Sequence, residues 1–160
     1  MSPLCPWRLC GVALVLGVFS QGHAGELPTL SRAQSTYLLS CGGCHGIQGI
    51  SARELVPDLL NRVGYFMCTD EGRQYIVHLP NIAFAAVSND ELADLLNFVI
   101  FGLGGPSAPV GARPYTAHEV GELRTSNVLI TDLRSRRQAV LASLVKACKG
   151  NGSVKRPAPG

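Results

Sequence analysis

The residues of this chain best suited to chemistry are five consecutive ones, Cys41-Gly42-Gly43-Cys44-His45. Two thiols three positions apart on a turn that becomes helical point the same way. They can add across both vinyl groups of one haem, and the adjacent His45 then falls beneath the iron as its proximal axial ligand. One segment therefore supplies both covalent anchorage and ligation, and the cofactor expected is a single haem c with its iron. Two other chemistries use such a spacing. A thioredoxin-like pair follows a strand of a parallel sheet, which no pattern upstream of Cys41 suggests, and a zinc site needs further ligands at a spacing of its own.

The elements that must position this motif are helical by their periodicity. Upstream, Leu30, Ala33, Tyr37 and Leu38 share one helical face. Tyr37 falls one turn before Cys41, where it either packs on the porphyrin edge or simply fills the core. Downstream, Gly46 and Gly49 permit close backbone approach, and Val56-Pro57-Asp58-Leu59 follows. Ser88 and Glu91 form a capping box that opens a closing helix with the apolar stripe Leu92, Leu95, Leu96 and Val99, and Gly102 and Gly104 are expected to stop it.

The span from Tyr37 to Phe101 resembles the class I c-type cytochromes: an aromatic-bearing helix, Cys41-x-x-Cys44-His45-Gly46, Pro57 and a final amphipathic helix. The resemblance implies an all-α, class I cytochrome c-like fold around one covalently bound haem. It also implies that the Pro57 carbonyl accepts the Nδ1 proton of His45 and that Leu59 packs on the same face of the haem. Such a bond fixes the imidazole tautomer and raises its basicity.

The distal ligand departs from that pattern. The family usually carries a methionine followed by proline in the loop before the last helix, whereas this chain reads His78-Leu79-Pro80 there. The distal ligand is then His78, or Met67 from an earlier position, or no protein group at all. His78 also reads as a solvated residue and Met67 as a core filler.

The surroundings are set by the ends of the chain. Residues 9–19 form an apolar run preceded by a single charge, Arg8, and followed by small residues, which reads as a signal peptide cleaved near Ala24. The run is short of the roughly 20 residues a spanning helix needs, so no membrane span is expected after cleavage. The expected location is periplasmic. Cleavage would remove Cys5 and Cys10, leaving Cys41, Cys44, Cys68 and Cys148 in an oxidising compartment. Cys68 and Cys148 are then either a disulfide stapling the C-terminal helix or two buried free thiols.

The expected organisation is a signal peptide at 1–24, a haem domain at 25–102, a linker and helical extension at 103–150, and a disordered tail at 151–160. The linker, residues 102–114, is Gly- and Pro-rich. Two helices follow, one opened by Thr116 and Glu119 and one over about 132–149, too small to fold alone and so expected to dock on the haem domain. His118 reads as a surface residue.

At 160 residues, 46% of them hydrophobic and 16% charged, the chain is globular and not disordered. Without residues 1–24 it carries a formal +2, too little for a nucleic-acid binder. No acid–base pair, activated nucleophile or phosphate loop is visible, so an electron carrier and not an enzyme is expected. It would work between a dehydrogenase or quinol-linked donor and a downstream acceptor, both redox partner proteins. The alternative is an open-coordination haem protein that binds small ligands or acts on peroxide.

Overall fold

Ser31 starts the first helix by bonding the Gln34 amide while the Gln34 side chain returns to the Ser31 N–H, a complete capping box. The computed structural model describes residues 29–52, 56–126 and 132–148. The expected signal peptide and tail lie outside the described residues. Helix α1 (Arg32–Ser40) runs directly into the short α2 (Gly42–His45), which carries the motif. A 3-10 helix (Val63–Cys68) leads to α3 (Asp70–His78), the single turn α4 (Pro80–Ala83) and α5 (Asn89–Asn97). Then come α6 (Ala117–Thr125) and α7 (Leu133–Ala147). The described residues contain no strand. The fold is all-α, in keeping with a cytochrome c-like arrangement.

Helix α5 begins as the sequence predicts, with Ser88 and Glu91 capping each other, and buries Leu92, Leu95 and Leu96. It does not end at Gly102. The chain widens into π-helical turns over Phe98–Leu103, burying Val99, Ile100 and Leu103, and the Gly104 N–H closes on the Val99 carbonyl at 2.9 Å. Leu30 also departs from its expected place, since the helix starts after it and its side chain is exposed.

The Gly- and Pro-rich linker is only partly a surface strand. Val110 is exposed, but Ser107 is buried in a 3-10 turn and the carbonyls of Arg113 and Pro114 are drawn inward to the Arg73 guanidinium, at 2.5 and 2.8 Å. Arg73 is 6% exposed. Its charge is met by Glu119 of α6 through both carboxylate oxygens, and its guanidinium carbon lies 4.1 Å from the centre of the Tyr115 ring. Tyr115 closes the arrangement by donating its hydroxyl to the Arg73 carbonyl at 2.8 Å. Its backbone is held by the Asn97 side-chain amide, which both donates and accepts. Desolvation holds the Tyr115 hydroxyl well above the ordinary tyrosine value, while the bond from Arg73 holds the Glu119 carboxyl below its own.

Helix α7 buries Val140 and Leu144 and is joined to the 3-10 helix by a disulfide between Cys68 and Cys148. Arg136 pairs with Glu71 at 3.1 Å and the Arg137 guanidinium lies over the Phe66 ring, so two of the three α7 arginines face neighbouring elements of the same chain. His118 is exposed and pairs with Glu122 at 3.5 Å.

Candidate haem-attachment site

The motif turn is made by local bonds. The amides of Cys44 and His45 both donate to the Cys41 carbonyl, at 3.1 and 2.9 Å, which closes one helical turn with Cys41 and Cys44 on neighbouring sides. Both thiols are free. Burial, and after it the neighbouring Cys44, pushes the Cys41 thiol above its ordinary value. A redox-active Cys-x-x-Cys depends on the opposite shift, so the turn is not tuned for disulfide exchange. Among the described residues no cluster of His, Cys, Asp and Glu gathers in the form that would hold a metal ion directly.

Gly46 ends the turn with φ +76, and a side chain there would put its Cβ 2.0 Å from the Ile50 carbonyl oxygen. Only glycine satisfies both demands. The freed Gly46 carbonyl accepts the Tyr37 hydroxyl at 2.7 Å, so Tyr37 fixes the turn with its polar end. Its buried ring meets Phe98 edge-on, with centroids 5.6 Å apart. The Gly49 carbonyl then accepts from the amides of Leu59 and Leu60, and Asp58 accepts from the Ser51 amide. These bonds fold residues 46–60 back over the motif.

The fold-back places the Pro57 carbonyl 3.0 Å from His45 Nδ1. A carbonyl can only accept, so Nδ1 carries the proton and Nε2 keeps its lone pair. No second hydrogen bond engages the His45 ring. Leu59 packs against the core nearby, beside Gly49.

These donors fit a covalent haem: two free thiols on one turn, and an imidazole with one nitrogen anchored and the other a bare donor. The exposed apolar side chains that follow the motif, Ile47 at 73% and Ile50 at 53%, are of the kind a porphyrin would cover.

The two candidates for the distal position differ from this picture. His78 closes α3, and its Nε2 lies 2.8 Å from Ser126 Oγ. The single Ser126 hydroxyl proton goes to the Leu123 carbonyl at 2.6 Å, so His78 Nε2 must be the donor. A nitrogen that carries its proton has no lone pair for iron. Met67 lies in the 3-10 helix, half-buried against the core and next to the stapled Cys68.

Sequence reasoning missed Arg124. Its guanidinium reaches four acceptors in the segment between α4 and α5: the carbonyls of Ala83, Ala85 and Val87, at 2.9, 2.6 and 3.0 Å, and Asn89 Oδ1 at 3.0 Å. No motif announces it, because each partner lies more than thirty residues away.

No family model matches the chain. Over 116 residues it is 23% identical to cytochrome c-552 of Thermus thermophilus, an alignment that covers 61% of this chain and 88% of that protein. A second cytochrome c-552 from the same organism matches at the same identity, with 78% of its length covered. That likeness supports a c-type cytochrome.

Proposed function

We propose that this chain is an exported, single-haem class I c-type cytochrome that carries electrons between redox proteins. Its haem domain spans 25–102, with a leader at 1–24 and a helical extension at 103–150. The observation that carries the reading is the His45 ring, tied through Nδ1 to the Pro57 carbonyl and left with a bare Nε2 beside two free thiols. The likeness to cytochrome c-552 points the same way.

In this reading Cys41 and Cys44 hold the haem by thioethers and His45 Nε2 is the proximal ligand. Bound haem would supply one-electron exchange between ferric and ferrous iron. Pro57 keeps the proton on Nδ1, fixing the ring's orientation and strengthening Nε2 as a donor. Leu59 keeps water from the ring, and Tyr37 holds the turn that sets the height of His45. The donor is a dehydrogenase or quinol-linked complex and the acceptor lies downstream, both in the periplasm.

A second reading, an open distal position that binds small ligands or peroxide, is favoured by the donor role of His78 Nε2. One experiment addresses both. The protein is produced in a host that attaches haem c, denatured and weighed, and its oxidised and reduced visible spectra are recorded beside those of His78→Ala and the Cys41→Ala/Cys44→Ala pair. The expected result is one covalent haem in the wild type, none in the double variant, and reversible reduction at an electrode. A wild type with two free thiols and no haem mass overturns the proposal. A high-spin wild-type iron that His78→Ala leaves unchanged selects the open reading; a low-spin iron that becomes high-spin in that variant makes His78 the ligand and ends it.

A further inference from the structure

Arg124, in the last turn of α6, makes no ion pair with any carboxylate among the described residues. Its donors go instead to three carbonyls and one amide oxygen within residues 83–89. Two residues on, Ser126 accepts from His78, where the same stretch begins. One end of α6 thus grips the whole connection from α3 to α5 at its start, its middle and its end. The approach is close: a side chain at Gly121 would bring its Cβ to 2.7 Å from the Asn89 amide nitrogen. The connection itself has little else to hold it. Between the single turn α4 and the Ser88 cap its carbonyls face Arg124, and Phe84 stands 76% exposed.

We infer that Arg124 is a positioning residue for the haem site, fixing residues 79–88 so that this segment limits how fast a foreign ligand reaches the iron. The inference rests on the haem reading above. It assigns to the C-terminal extension a task at the site, carried by a planar fork with several donors that a lysine point charge cannot reproduce. Losing even one net hydrogen bond from the grip multiplies the open population of the segment about fivefold. The rate of ligand entry should rise by at least that factor.

The test compares full-length holoprotein with Arg124→Ala, Arg124→Lys and Arg136→Ala, the last removing an α7 arginine that touches only Glu71. Haem mass is checked first. Amide hydrogen exchange over 79–88 and the association rate of imidazole with the ferric protein are then measured. The expected result is faster exchange in that segment and imidazole entry at least about fivefold faster for both Arg124 variants, with Arg136→Ala at wild-type values. Faster exchange with an unchanged imidazole rate overturns the positioning role, and unchanged exchange overturns the grip itself. A wild type that carries no haem fails the earlier reading at the first step, before any variant is compared, and this inference falls with it.

Discussion

Replacing Glu119 with glutamine keeps the shape of the side chain and removes its charge from opposite Arg73. The guanidinium is 6% exposed, so water cannot take the place of the carboxylate. Removing one partner of a fully buried pair costs about 3–5 kcal/mol. Here the loss is smaller for two reasons: the Glu119 side chain is 30% exposed, and Arg73 keeps the carbonyls of Arg113 and Pro114 and the face of Tyr115. The expected cost is therefore about 2 kcal/mol, which in a chain of this size lowers Tm by about 4–8 °C. The pH dependence has a definite sign. Hydrogen bonding from Arg73 depresses the folded-state acidity constant of Glu119, so its stabilisation is present above the unfolded value of about 4.3 and is lost as pH falls through the folded one. Thermal unfolding followed by circular dichroism at pH 7 should show the full difference between wild type and Glu119→Gln, and the difference should contract below about pH 4. A deficit under about 0.5 kcal/mol at pH 7, or one equally large at pH 3, would refute the argument.

The Cys68–Cys148 bond closes a loop with a sequence separation of 80 residues. The chain-entropy relation gives it about 4–5 kcal/mol, so Cys68→Ser/Cys148→Ser should lower the urea midpoint accordingly, and a change under about 1 kcal/mol would disprove the entropic account. Gly46→Ala forces a Cβ against the Ile50 carbonyl at positive φ. It should unseat the turn and sharply reduce the fraction of chains that acquire covalent haem; wild-type loading by mass spectrometry would count against the site geometry.

The motif was legible because its spacing is local: Cys41, Cys44 and His45 share one turn, and no distant residue is needed to bring them together. The same holds for the Ser88–Glu91 cap. Thr116 and Glu119 show where such reading stops. The Glu119 amide does bond Thr116 at 3.2 Å, but the carboxylate that would complete the box turns to Arg73, because neutralising a buried cation outweighs one more terminal hydrogen bond. Arg73 itself, in the polar run Asp70-Glu71-Gly72-Arg73, has the composition of a surface helix, and its burial follows only from partners about forty residues later. The continuation of α5 past Gly102 was hidden for a related reason. Burying Val99, Ile100 and Leu103 together outweighs the cost of glycine within a helix.

The grip of Arg124 also has an order in time. The chain is made from its N-terminus, so Cys41, Cys44, His45 and the folding-back segment through Leu59 exist before α6 and α7 have been synthesised. During that interval the connection from α3 to α5 lacks the cation that organises its carbonyls, and chemistry on the two thiols meets a chain whose far side is still loose. Arrival of the last two helices ends the interval. A chain that stops before residue 117 holds every group of the motif and remains in it permanently.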